Sequence, residues 1–359
     1  MPSLCKAARP SGQLAWRRTL AGVLLAGSCV AASPASSRVS GVCANCHTMH
    51  NSQAGQPVAA AGTGAGWDAS GRLAGPAGGP VESLLISDCV GCHSSTTSET
   101  IIQVGGVRIP VVYNTVPPVN PLAGGNFHWV VANGDGYGHN VRGIAGEDQV
   151  LAVAPGKLGG CNNSCHDSLA REPGSSQYNN GGGCKGCHYQ VFHHQDNDRY
   201  RFLVGHQTGD CYVTGVEDAD WEQVADGSHN LQHGHDRDAS PGALGLARTQ
   251  SISSYCGGCH GLFHDSTRIR GAGDTWLRHP TDILLPEVGE YAAYNPVTDS
   301  STEAPVAWLD PTQPRRTEAV VSCLSCHRPH GSDQPDLLRW DYASMAEGTG
   351  CFTCHTDKD

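Results

Sequence analysis

The chain has 359 residues and a formal charge of −11, from 23 Lys and Arg against 34 Asp and Glu, and it holds 17 Cys, 19 His and 46 Gly but 5 Phe. Leu, Ile, Val and Phe make up about 18 % of it, below the level at which apolar side chains alone build a core. With no Lys/Arg-rich run beyond the first 20 residues, this balance argues against nucleic acid as a partner and for an organiser other than aliphatic packing.

Residues 1–32 read as an export signal: Lys6, Arg9, Arg17 and Arg18 precede an apolar run from Leu20 to Ala32, and Val30-Ala31-Ala32 offers a small-residue cleavage site. The run is too short to span a bilayer. Arg17-Arg18 leaves a twin-arginine signal open, Cys29 a lipidated cysteine, and Ala35 a later cleavage point. Without residues 1–32 the chain carries about −15, since the segment holds four positive charges and no negative one. No later segment is long and apolar enough to be transmembrane, so an exported protein, periplasmic or at the cell surface, is expected.

Of the 15 later cysteines, 14 fall in pairs, and every pair is followed directly by histidine. Six have the form Cys-x-x-Cys-His: Cys43 and Cys46 with His47, Cys89 and Cys92 with His93, Cys184 and Cys187 with His188, Cys256 and Cys259 with His260, Cys323 and Cys326 with His327, and Cys351 and Cys354 with His355. The seventh, Cys161 and Cys165 with His166, has three residues between its cysteines. On one helical turn residues i, i+3 and i+4 share a face, so two thiols can bond the two vinyl groups of a haem while the adjacent imidazole meets its iron. Zinc ribbons and structural disulfides also use paired cysteines, but neither needs a histidine after the second one each time. The motifs imply seven covalently attached c-type haems, whose apolar faces would stand in for the missing core.

An iron held by one histidine has a sixth position, and what fills it separates an electron carrier from a catalyst. Met49 and Met345 are too few to serve generally, whereas twelve histidines lie outside the motifs. His50 and His330 follow a motif histidine by three residues and His264 by four, which points each away from its own haem and towards a neighbour. His139, His206, His229 and His279 stand in loop-like contexts, and of the adjacent His193 and His194 at most one, taken as His193, is expected to bind iron. For each, a solvent-exposed or propionate-bonding role is the alternative. His229, His233 and His235, beside Asp236 and Asp238, could instead gather an adventitious metal.

Between first cysteines the sites are 46, 72, 23, 72, 67 and 28 residues apart, so sites two to four and sites five to seven each span 95 residues. That hints at duplicated three-haem blocks, about 81–195 and 248–359, within one continuous domain over 33–359. Residues 54–80, rich in Gly, Ala and Pro, read as a flexible excursion, and residues 101–119 and 199–216 as short strands. The expected fold is mainly irregular, with short α-helices at the haem sites, a few short β-strands, and the haems forming the core. Cys211, outside every motif, reads as a small buried hydrophobe in preference to a disulfide partner.

The segments Val42-Cys43-Ala44-Asn45-Cys46-His47-Thr48-Met49-His50-Asn51-Ser52-Gln53, Tyr200 to His206, Arg278-His279-Pro280-Thr281-Asp282, Cys323 to Gly331 and Leu338 to Tyr342 resemble the multihaem c-type cytochromes with doubled CxxCH motifs, common in metal-reducing bacteria. The resemblance covers most of the chain beyond the signal, with residues 54–80 the chief gap. It implies electron transfer along closely stacked haems with two histidine ligands each, with redox proteins or extracellular acceptors as partners, and it suggests His139 and His229, each followed by Asn, as second ligands. The wider spacing between Cys161 and Cys165 departs from the usual motif. Two other readings stand beside this one. A multihaem reductase with one substrate-binding haem is disfavoured by the lack of a Cys-x-x-Cys-Lys motif and by the spare histidines. Polymerisation into a haem filament would use attachment sites near both ends, at Cys43 and Cys351. The intact mass of the exported protein is expected to exceed that of its polypeptide by seven haems, and a count of six by mass spectrometry would point first to Cys161 and Cys165.

Overall fold

A computed structural model describes residues 52–53, 56–57, 89–104, 106–151, 169–170, 182–188, 191, 199–204, 212–223, 229–239, 249–260, 279–299 and 303–357. Residues 1–32, most of 54–80, Cys211, and the first and third attachment sites (Cys43, Cys46 and His47; Cys161, Cys165 and His166) lie outside the described residues. Regular structure is sparse and short, as the Gly- and Pro-rich composition dictates. Among the described residues no helix is long and apolar enough to cross a membrane.

The strands come as small ribbons. β1 (Ser52–Gln53) pairs antiparallel with β2 (Gln56–Pro57). β3 (Ser94–Ser95) leaves the second attachment site and pairs in parallel with β6 (Tyr113–Asn114). Between them β4 (Ile101–Val104) and β5 (Val107–Pro110) form a hairpin from Ile101↔Pro110 to Val104↔Val107. Gly106 takes φ +83° in its connection, a conformation that glycine reaches without steric cost. β7 (Gly215–Val216) pairs with β8 (Leu231–Gln232). The widest sheet has β11 (Ala319–Val321) between β9 (Ile283–Leu284) and β10 (Ala307–Trp308). All three residues of β11 are buried, and the strand runs straight into Ser322 and the sixth site. The expected strands thus appear within 101–119 as β4, β5 and β6 and at the end of 199–216 as β7.

There are two short α-helices among the described residues, α1 (His128–Asn133) and α2 (Ile252–Cys256). α2 starts because Ser251 caps it, its Oγ accepting from the Ser254 amide at 3.1 Å, and it ends on the first cysteine of the fifth site.

Apolar residues do not form one core. They gather in three clusters, each against attachment cysteines: Tyr200, Leu203, Val213, Ile252, Tyr255, Ala307 and Val320 against Cys187 and Cys256, Leu285, Tyr294, Val306, Trp308, Ala319 and Val321 against Cys354, and Val90, Tyr113, Phe127, Val130 and Val141 against Cys184. Between clusters the chain is fastened by buried polar groups. Asn114 and Asn126 are both fully buried, and Asn126 Nδ2 donates to Asn114 Oδ1 at 2.6 Å while Asn114 Nδ2 donates to the carbonyls of Thr97 and Glu99.

Asp282 ties α2 to the widest sheet. Its carboxylate Oδ2 accepts from the hydroxyls of Ser251 (2.6 Å) and Ser254 (3.2 Å), while its amide donates to Val321 O at 2.8 Å. Removing that acceptor takes away the bond the buried Ser254 hydroxyl donates and the shortest bond of Ser251, which keeps only Thr249 Oγ1 at 3.3 Å and the Ser254 amide. Asp282→Ala is therefore expected to lower unfolding stability by about 3 kcal/mol and Ser254→Ala by about 1 kcal/mol, read as displaced denaturant midpoints of the haem-loaded protein.

Candidate haem-attachment sites

The five described motifs share one local geometry. The histidine amide donates to the carbonyl of the first cysteine at 2.9–3.0 Å. The second cysteine's amide donates to the same carbonyl, at 3.1 Å for Cys92, 3.2 Å for Cys187, 3.0 Å for Cys259 and 3.3 Å for Cys326 and Cys354. Both cysteines of every described motif, Cys92 and Cys259 included, are half-buried. Each motif is thus one closed turn, 3₁₀ in character at Cys89–Gly91, Cys184–Gly186, Cys323–Ser325 and Gly350–Thr353, and the end of α2 at Cys256. One turn is what brings two thiols and an imidazole to a common face. The sequence led to the expectation of α-helices at these sites, and four of the five are instead single 3₁₀ turns, since a motif of five residues closes on its own first carbonyl and nothing beyond it extends the helix. Cys161 and Cys165, whose wider spacing sets them apart, lie outside the described residues.

The imidazoles are then aimed by their second nitrogen. A carbonyl oxygen can only accept, so Nδ1 carries the proton where His93 meets Pro110 O (2.7 Å), His188 meets Arg201 O (2.7 Å) and His327 meets Asp336 O (2.8 Å), which leaves Nε2 as the ligating atom. Two of these acceptors lie in the same kind of turn. Arg201 and Phe202 have φ +47° and +60°, and Asp336 and Leu337 have +59° and +60°, successive left-handed residues that turn the first carbonyl back to the motif histidine. Such conformations cost about 1–2 kcal/mol each for non-glycine residues and persist where other contacts fix them.

Several expected second ligands meet motif histidines. Ring centroids are 6.0 Å apart for His139 and His260, 6.2 Å for His188 and His330, and 6.2 Å for His279 and His355. Two imidazoles that each hold one ion at about 2 Å through Nε2 have their centroids about 6 Å apart, so the three pairs fit an iron between them. His139 Nδ1 donates to Pro329 O at 2.6 Å and His279 Nδ1 to Pro280 O at 2.9 Å, again leaving Nε2. Burial and neighbouring imidazoles push His330 down to about 3 and His260 down to about 4, which keeps the lone-pair form that ligation needs.

The segment Arg328 to Ser332 sets two of these rings at once. The Arg328 guanidinium donates to Leu122 O (3.0 Å), the His330 amide to Gly124 O (2.7 Å), and the Ser332 amide to Tyr137 O (3.1 Å), while Pro329 receives His139. Phe127 packs on His330 with ring centroids 4.8 Å apart. Gly331, at φ +135°, passes so close that a Cβ would lie 2.6 Å from Tyr137 O and 2.8 Å from Asn126 O.

Neighbouring sites touch. Tyr255 beside the fifth site donates its hydroxyl to Cys187 O at 2.7 Å in the fourth, and the sixth site's Cys323 amide donates to Ser253 Oγ at 3.2 Å in α2. A thiol hydrogen bond between Cys256 and Cys323 is the main reason the Cys256 thiol is held well above its ordinary range, with Cys187 and Cys259 adding to it. Burial lifts Cys326 to about 12, with Cys351, Cys323 and Cys354 adding to it.

Other histidines fall elsewhere. His128 is buried with Nδ1 on Asn114 O at 2.9 Å, a core histidine. His229 lies 3.4 Å from Glu222 Oε1. His233 and His235 do not converge with it, and among the described residues no group of three or more His, Cys, Asp or Glu is placed to hold a metal ion. His50, His193, His206 and His264 lie outside the described residues. One contact escaped the sequence reading: Glu290 Oε1 stands 3.3 Å from His355 Nδ1. A glutamate 65 positions upstream has no spacing rule that would single it out.

A family model for the doubled CXXCH motif matches residues 315–359, which hold the sixth and seventh sites. The C-type cytochrome OmcS of Geobacter sulfurreducens is 24 % identical over 395 aligned positions, covering 88 % of this chain and 83 % of that protein. Two solved structures from the same organism align with the chain. The outer membrane cytochrome S filament has a TM-score of 0.42 at 19 % identity over 86 % of each chain, and the OmcS nanowires seen by cryo-EM have 0.46 at 18 % identity over 90 % of this chain and 91 % of theirs. The chain is thus similar to multihaem c-type cytochromes. Here Gly331→Ala is expected to displace His330 and the Pro329 carbonyl under His139 together. A high-spin band in the visible spectrum of the oxidised variant, absent from the parent, checks it.

Proposed function

We propose that this protein is an exported electron carrier with seven covalent haems, each iron closed by two histidines. The observation that carries the reading is the set of three imidazole pairs at 6.0–6.2 Å. In it the thiols of Cys43 and Cys46, Cys89 and Cys92, Cys161 and Cys165, Cys184 and Cys187, Cys256 and Cys259, Cys323 and Cys326, and Cys351 and Cys354 carry the haems. The proximal ligands are His47, His93, His166, His188, His260, His327 and His355. His330 closes the His188 site, His139 the His260 site and His279 the His355 site, while the other four irons draw on His50, His193, His206, His229 and His264. When bound, the haems supply reversible one-electron chemistry, at low potential because no methionine ligand raises it.

The chain's own part is attachment, orientation and spacing. Paired cysteines fix each haem in place, Nδ1 hydrogen bonds hold the rings against rotation, and contacts such as Tyr255 to Cys187 and Cys323 to Ser253 keep successive sites adjacent. Residues 33–359 act as one unit in this reading, supported by the bonds between the 122–139 and 328–339 stretches. A carrier needs no open coordination position, so no catalytic residue is assigned. Redox proteins or extracellular acceptors would take the electrons.

Electron paramagnetic resonance of the oxidised protein, quantified against haem content, tests the reading. All haems are expected to be low-spin, and His330→Ala is expected to turn about one in seven high-spin with the haem count unchanged. A high-spin haem in the unsubstituted protein would overturn the carrier reading in favour of a reductase.

A further inference from the structure

We infer that Glu290 sets the Cys351–His355 site apart electronically from those of His93, His188 and His327, its carboxylate charge beside Nδ1 of His355 making the haem held there harder to reduce than theirs. The inference rests on the ligation reading above and deepens it. At His93, His188 and His327 the acceptor facing Nδ1 is a neutral backbone carbonyl. At His355, Nδ1 makes no such bond and instead faces a carboxylate oxygen 3.3 Å away, with both side chains mostly shielded at 22 % and 24 % exposure.

The carboxylate is held there by the chain around it. Glu290 sits in the single turn Gly289–Tyr291, and its carbonyl accepts from both the amide (2.8 Å) and the hydroxyl (2.6 Å) of Thr356, the residue after His355. Arg316 fastens the same stretch by donating to the carbonyls of Leu285 (3.0 Å), Pro286 (2.5 Å) and Tyr291 (3.2 Å). The Tyr291 ring lies against His355 with centroids 5.0 Å apart. A charged acceptor makes an imidazole a more basic ligand than a carbonyl does, and a more basic ligand favours ferric over ferrous iron. Reduction there takes one electron from the reductant and involves no proton transfer. An electron placed at this site therefore has a driving force towards the sixth, held by His327.

The test is a potentiometric titration of the full-length, haem-loaded protein followed by electron paramagnetic resonance, for the parent, Glu290→Gln and Glu287→Gln. Glu287 is an exposed carboxylate on the same stretch, so its loss removes equal charge without touching His355. The expected result is that one low-potential component alone becomes easier to reduce in Glu290→Gln, its reduced-to-oxidised ratio at fixed potential rising about tenfold, or about 59 mV for one electron, with Glu287→Gln unchanged. An unmoved titration with full low-spin haem content overturns the inference, as does an equal shift in both variants. Should Glu290→Gln lose haem, the parent decides. One of the low-spin signals that persist to low potential must show the narrow g spread of a strongly basic imidazole ligand, and its absence overturns the inference. High-spin iron in the parent would instead overturn the ligation reading, and this inference with it.

Discussion

Two thiols and one imidazole must share a face of a single helical turn, and much of this architecture follows from that requirement. A single turn is enough, so the sequence has no need of long helices, nor the apolar residues to bury their faces. The described sites accordingly sit on isolated turns, closed by the same pair of amide-to-carbonyl bonds at the first cysteine. What lies between them is free to be irregular, provided it returns each turn to its neighbours. Tyr255 and Ser253 do that returning at the middle of the chain.

Attachment alone leaves an imidazole free to rotate, so the second nitrogen has to be held. The chain uses main-chain carbonyls at three described motif histidines, and a carbonyl must itself be aimed. At Arg201 and Asp336 this is done with pairs of left-handed residues, a conformation that the surrounding hydrogen bonds have to sustain. Arg201 is sustained by its amide on Glu217 Oε1 (2.6 Å) and its guanidinium on Asn230 Oδ1 (2.6 Å), and the Asp336 turn by Arg328 donating its amide to Leu337 O (2.8 Å). Local strain is thus exchanged for a fixed ring plane.

The cysteine spacing made the closed turns legible, because helical periodicity links their five residues. His330, one turn beyond His327, does not lie back on its own motif, and its ring centroid is 6.2 Å from that of His188. The acceptors were not legible. Pro110, Arg201, Asp336 and Pro329 contribute carbonyl oxygens, which every residue has, and positive φ at Arg201 or Leu337 runs against what their side chains predict. Glu290 is charged and could have been noticed, but its relation to His355 is made by tertiary packing over 65 residues. Asp282 lay within a segment recognised by resemblance, while its bonds to Ser251 and Ser254, 31 and 28 residues earlier, carry no local pattern.

Long-range closure is what joins these separate turns. The Arg328 guanidinium reaches Leu122 across 206 positions, and Arg339 reaches Ala123 across 216. Burial holds Arg339 down to about 9, with the like charge of Arg328 adding to it, a cost accepted where both side chains bond main-chain carbonyls. Because the same stretch seats His330 against His188 and Pro329 under His139, a slip of this clasp would disturb the fourth and fifth sites together. Rates of electron transfer fall steeply with separation, so a chain built from irregular loops needs such a clasp more than a bundle of long helices would. The closely fitted glycines at 125 and 331, where added Cβ atoms would run into neighbouring backbone, leave that clasp little room to move.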